Sequence, residues 1–181
     1  RGFPIRIPLD MILVFTANPE DYTNRGNIIT PLKDRIDSQI ITHYPNSVAE
    51  AQLITEQEAW IGRDNGRPQI PAFYREIIEE IAFAARDSEF IDQSSGVSAR
   101  VPISVLENVV SNIERRNLRT KDTVAIPRLA DLNAAIPSIT GKVELVYEGE
   151  REGLRMIAVN IMGRAISKVF ERHFPAIEKD G

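Results

Sequence analysis

Leu9-Asp10-Met11-Ile12-Leu13-Val14-Phe15-Thr16-Ala17-Asn18-Pro19 runs an apolar, β-branched segment into an Asn-Pro pair, and Pro31-Leu32-Lys33-Asp34-Arg35-Ile36-Asp37 follows after a polar loop. Met11–Thr16 has the composition of a strand covered on both faces. Asn18-Pro19 ends it, because the residue before a proline is pushed out of helical space. Asp21–Thr30 is polar and contains Gly26, so it reads as loop, and Pro31–Asp37 is long enough for one helical turn. The pattern presents one neutral amide at a strand tip and one arginine at a surface. Those two groups suit orienting a water and reaching a phosphate on a neighbouring subunit. No G-x-x-x-x-G-K-[ST] occurs in the 181 residues, so the half that would cradle a triphosphate is missing.

Upstream, Arg1–Pro8 alternates apolar and polar residues like an edge strand held there by its prolines, and downstream Ile36–Tyr44 reads as a strand stopped by Pro45. Beyond Pro45 the periodicity becomes helical. Ser47-Val48-Ala49-Glu50 forms a capping box for a helix expected to reach Gly62. Phe73, Ile77, Ile78, Ile81, Ala84 and Ala85 make one stripe of a helix over about 71–87. Ser104-Val105-Leu106-Glu107 opens a third helix with Val105, Val109, Val110 and Ile113 inward. A shorter helix is expected within Thr123–Ile139, a strand over Lys142–Tyr147, and a last amphipathic helix over Glu152–His173. The expected fold class is therefore mainly α: a helical module over 47–181 with a short strand near 142–147, preceded by a small β remnant over 1–46.

Of 22 basic and 26 acidic residues, 1–46 hold five of each, so the helical part carries the whole net charge of −4. That balance argues against a nucleic-acid partner. Arg115, Arg116, Arg119 and Lys121 form a small basic patch without interleaved aromatics, which points the same way. Zero cysteine excludes disulfides and thiolate metal sites and suits a reducing cytoplasm. The apolar runs are too short to span a membrane, and no signal peptide is visible. His43 and His173 have no companion ligands nearby in sequence, so no metal site is expected. Glu79, Glu80, Glu148, Glu150 and Glu152 read as solvated carboxylates, and Trp60 as core or interface. The chain begins at Arg1 without a Met and is expected to be a piece of a longer polypeptide.

Gly2-Phe3-Pro4-Ile5-Arg6-Ile7-Pro8, Leu13-Val14-Phe15-Thr16-Ala17-Asn18-Pro19-Glu20 and Pro31-Leu32-Lys33-Asp34-Arg35 together resemble the AAA+ ATPases of the magnesium-chelatase and MoxR branch. Those proteins carry a hairpin, a strand ending in an asparagine before proline, and an L-x-D-R segment in this order. The resemblance is specific over 2–37, looser over 47–118 where a helical lid is implied, and slight beyond 140. It implies that the Walker A and Walker B segments precede Arg1. It further implies Mg-ATP as cofactor of the intact parent, a homo-oligomeric ring, and a client protein that the ring remodels. The parent would be an ATP hydrolase, and this chain alone would be inactive.

On this resemblance Asn18 is sensor 1, whose neutral amide orients the attacking water; the plain alternative is that Asn-Pro opens a turn. Arg35 is the arginine finger, offered across the ring interface to a neighbour's ATP, with Arg25 as a rival in the same loop. Its plain alternative is a surface ion-pair cluster of Asp34, Arg35 and Asp37. Arg100, in Ser98-Ala99-Arg100, is the lid arginine (sensor 2) that reads the γ-phosphate; otherwise it is a solvated cation near a helix start, where positive charge is mildly unfavourable. A different class of function stays open beside this one: a non-catalytic helical interaction module with decayed motifs. A Walker A strand-loop-helix upstream of Arg1 would separate the two.

Overall fold

The computed structural model describes residues 10–16, 31, 34–63, 68–121 and 124–174. The chain forms two compact units, Arg1–Ile41 and Thr42–Gly181. In the first unit the strand expected over Met11–Thr16 is not formed. These residues have no regular secondary structure, and Ile12 and Val14 are 89% and 83% exposed. Ile36–Tyr44 likewise contains no strand, and Ile40 and Ile41 are exposed. β-Branched composition favours an extended backbone, yet each N–H and C=O of a strand still needs a ladder partner. The edge strand expected over Arg1–Pro8 lies outside the described residues.

The second unit is helical: α1 (Val48–Glu58), α2 (Ala72–Arg86), α3 (Arg100–Thr120), a 3-10 segment (Leu129–Ala135), α4 (Ile136–Thr140), α5 (Tyr147–Glu152) and α6 (Leu154–His173). Ser47 caps α1, its Oγ accepting from the Glu50 amide at 3.2 Å. The Glu50 carboxylate accepts from Asn46 N at 2.9 Å, one residue outside the expected box. α1 stops at Glu58, short of Gly62, and the chain then buries Ala59 and Ile61 while Trp60 points outward, 69% exposed. α3 begins at Arg100, four residues before the expected Ser104. Ser98 Oγ accepts from Arg100 N at 3.2 Å, and Pro102 sits in the first turn, where a missing N–H is tolerated.

Where one helix is expected within Thr123–Ile139, a 3-10 segment leads into α4, and Asp131 reaches back to accept from Arg128 N at 2.7 Å. The strand expected over Lys142–Tyr147 reduces to a single antiparallel bridge, Ile91 to Leu145, flanked by Asp92 N to Glu144 O at 2.9 Å and Val146 N to Phe90 O at 3.1 Å. It goes no further because α5 starts at Tyr147. The last helix forms as α6 over Leu154–His173, close to the expected Glu152–His173, and Gly153, whose φ of +87° a side chain would strain, separates it from α5.

α2 is the hub of this unit, packing against α6, α1 and α3, while α3 also packs on the 3-10 segment and α4. Tyr74, Ile77, Ile78, Ile81, Ala82 and Ala85 of α2 are buried, whereas Phe73 of the expected stripe is 43% exposed. α3 buries Val101, Val105, Leu106, Val109, Val110 and Ile113. At ~1.5–3 kcal/mol for each fully buried Val, Ile or Leu, this face and not helix propensity holds α3 in place.

Candidate functional site

Arg100 is the first residue of α3, exposed to solvent. Among the described residues its guanidinium makes no ion pair and no hydrogen bond; only its backbone N–H is engaged, by Ser98. A cation there faces the positive end of the helix dipole without compensation. Arg35 belongs to the first unit, is exposed, and donates from Nη1 to the Pro31 carbonyl oxygen four residues back. The Asp34/Arg35/Asp37 ion-pair cluster does not form among the described residues. Asn18 and Arg25 lie outside the described residues.

The largest departure from expectation concerns the carboxylates of α2. Glu79 and Glu80 are not solvated; they are 2% and 1% exposed. α2 is surrounded on three sides, so the face that would be polar on a surface helix also meets protein. Glu79 borders a cavity of about 10 Å³, room for roughly one water, lined also by Gln52, Thr55, Arg75, Ile78 and Leu106. Thr55 Oγ1 and Glu79 Oε2 are both buried there and have no hydrogen-bond partner among the described residues. Burial pushes the Glu79 carboxyl up to about 7, with the Thr55 hydroxyl and the Arg86 charge acting in the opposite direction. A group half-protonated near neutrality resembles a general base, but no substrate fits a space of one water. Glu79 therefore bears on stability rather than on chemistry.

Arg86 is half-buried, and desolvation lowers its pKa against the raising effects of Tyr44, Glu79 and Asp87. Its Nε and Nη2 donate to the Val97 carbonyl at 3.2 and 3.1 Å, and its guanidinium lies 4.2 Å from the Tyr44 ring centroid. Gly96 beside it has φ +69°, which strains any side chain, and a Cβ there would also displace the Tyr44 hydroxyl. Arg86 thus ties the start of the helical unit to the α2–α3 connection.

Glu80 is neutralised from α6: Arg172 Nη2 lies 2.8 Å from Oε1 and Lys168 Nζ 2.8 Å from Oε2. Arg172 Nη1 and His173 Nε2 reach Glu76 at 2.9 and 3.1 Å, so His173 belongs to a helix–helix contact. Arg116 does not join a surface patch; it pairs with the buried Asp131, which also accepts from Asn112 Nδ2 at 2.7 Å. Tyr74 donates to Arg128 O at 3.2 Å, and its hydroxyl pKa is raised by burial first and then by the Asp131 charge.

Sequence reasoning misses this buried polar set. The one available signal is Ile77-Ile78-Glu79-Glu80-Ile81-Ala82, where apolar residues flank the carboxylates on every side of the helix. Among the described residues no group of three or more His, Asp or Glu is arranged to hold a metal, and no helix is long and apolar enough to cross a membrane. Comparison with protein-family models, with curated proteins and with solved structures gives no significant match for this chain.

Proposed function

We propose that this chain is the C-terminal part of an AAA+ ATPase of the magnesium-chelatase and MoxR branch, the end of the nucleotide-binding core over 1–46 followed by a helical lid and extension over 47–181. The reading is supported by the order of the Asn18-Pro19, Leu32-Lys33-Asp34-Arg35 and Arg100 segments and by the mainly helical second unit. The observation that carries it furthest is Arg100: an exposed guanidinium, without an ion pair among the described residues, on the first turn of α3, where the dipole disfavours it and an anion would relieve it. Met11–Phe15, apolar yet exposed, fits a strand whose sheet neighbours come from the rest of the polypeptide.

In this reading Asn18 positions the attacking water, Arg35 reaches the γ-phosphate bound by a neighbouring subunit, and Arg100 couples lid angle to nucleotide state. Mg-ATP in the parent supplies the phosphoanhydride that is cleaved. This chain has no glycine-rich cradle, so it contributes groups that read the phosphate and not those that hold it. The client of the motor is a partner protein, and the compartment is the cytoplasm.

Complementation tests the assignment. Parent subunits carrying Arg35→Ala should be inactive alone and regain activity when mixed with Walker-defective parent, because some mixed interfaces then pair an intact pocket with an intact finger. Loss of a finger costs on the order of 10³-fold or more in rate in other phosphoryl-transfer systems, so partial rescue is readily seen. Activity retained by Arg35→Ala alone, or never recovered in verified mixed rings, removes Arg35 from the site.

A further inference from the structure

α1 is lightly seated. Over Val48–Glu58 its buried residues are Ala51 and Thr55, while Leu53 and Ile54 are exposed. By contrast α2 buries eight residues and α3 seven. Among the described residues the one ion pair from α1 to another helix is Glu56 with Arg75 of α2, and both side chains are partly exposed. The chain on either side of α1 is pinned independently of it. Upstream, the Tyr44 ring lies 4.2 Å from the Arg86 guanidinium. Downstream, Ala59 and Ile61 are buried, Trp60 N donates to Glu107 at 3.0 Å, and Arg63 pairs with Glu114 at 2.8 Å. Beneath α1, Thr55 Oγ1 and Glu79 Oε2 border the cavity of about 10 Å³, both buried and without a hydrogen-bond partner among the described residues. A weakly held helix thus covers an unsatisfied carboxyl group.

We propose that α1 is a proton-controlled flap, seated over Glu79 while that carboxyl is protonated and lifting off, separately from the rest of the helical unit, when it ionises. A neutral carboxyl can share one water in the cavity with the Thr55 hydroxyl. A carboxylate there has a buried oxygen without a donor, and seating an alanine and a threonine offsets little of that cost. Lifting α1 hydrates Glu79 and leaves the α2–α3 and α2–α6 contacts in place. A helix of 11 residues is marginal in water by itself, so the flap melts as it lifts. The charges around Glu79 are already engaged. Arg86, whose charge acts on it, is held by Val97 and Tyr44, and Arg75 by Glu56. On α3, Glu107 and Glu114 hold Trp60 N and Arg63; on α6, Lys168, Arg172 and His173 face Glu80 and Glu76. Burial raises the Glu79 carboxyl from 4.5 to about 7, so seating is firmest below 4.5, weakens as pH rises to about 7, and then levels. The flap belongs to the helical unit alone and stands whether or not the ATPase reading holds.

Native-state amide hydrogen exchange of the full 181-residue chain tests this, read by mass spectrometry and corrected for the intrinsic pH dependence of exchange. It is measured between about pH 5 and pH 8, with urea from zero to about 1 M, well below unfolding concentrations. The α1 amides should be at least about tenfold less protected than those of Val105–Ile113 in α3, and nearly insensitive to urea, as a local opening requires. Their protection should fall roughly 50-fold from pH 5 to pH 8 in the parent chain. In Glu79→Gln it should stay constant within about threefold. Arg75→Gln, which removes the ion pair to α1, should lower α1 protection severalfold at every pH and keep the pH response. Exchange of α1 in step with α3 at the same urea dependence, or α1 protection that is flat in pH, overturns the proposal from the parent chain alone. A pH response that survives in Glu79→Gln and disappears in Arg75→Gln assigns it to the Glu56–Arg75 pair and overturns the proposal as well.

Discussion

Replacing Glu79 by glutamine should remove a pH dependence from the stability of the helical unit. The carboxyl titrates at about 7 in the folded chain against 4.5 for an unperturbed glutamate, chiefly because it is buried. Between those values the folded state holds a proton that the unfolded state has released, so stability falls as pH rises through the window. Below 4.5 the group is neutral in both states and adds nothing; above 7 folding must bury an ionised carboxylate. At 1.36 kcal/mol for each tenfold change in proton affinity, the penalty at pH 8 comes to about 3 kcal/mol. The Glu79→Gln variant keeps the volume and never ionises, so its advantage over the parent should grow by that amount from pH 4.5 to pH 8. Urea unfolding followed by far-ultraviolet circular dichroism reads this as a midpoint gap widening by about 1–2 M. A gap that stays constant within about 0.5 kcal/mol across the range would refute the argument, and would mean that water reaches the Thr55–Glu79 cavity freely in the folded state.

Asp131→Ala should cost about 3–5 kcal/mol in the same assay, because it strands the Arg116 guanidinium and the Arg128 amide against protein. Gly153→Ala should lower stability by about 1–3 kcal/mol, read as a drop in melting temperature, since φ +87° is strained for any side chain although the space there is open. The isolated chain should neither hydrolyse ATP nor bind it tightly; saturable, tight binding by calorimetry would contradict the assignment of the phosphate cradle to another segment. In the parent, Asn18→Ala should cut turnover while leaving ATP binding largely intact, and unchanged turnover would exclude Asn18 from the site.

Sequence alone determined the helical character after Pro45, the approximate extents of α2, α3 and α6, and the Ser47 cap. Those properties are local: an apolar stripe repeats at helical spacing whatever it packs against, and a serine reaches an amide three residues away. Arg100 near a helix start was legible for the same reason. Burial of polar groups was not, because it depends on how many neighbours a helix has. Glu79 and Glu80 read as solvated until α1, α3 and α6 close around α2, and Arg116 reads as part of a basic patch until Asp131 arrives from fifteen residues away. The strands expected over Met11–Thr16 and Ile36–Tyr44 failed on the same ground, since β-branched composition sets a backbone preference and only a partner across the ladder makes a strand. The break at Gly153 and the one-bridge pairing of Ile91 with Leu145 were likewise decided by tertiary packing, which turns the chain at 145–154 to bring α6 onto α2.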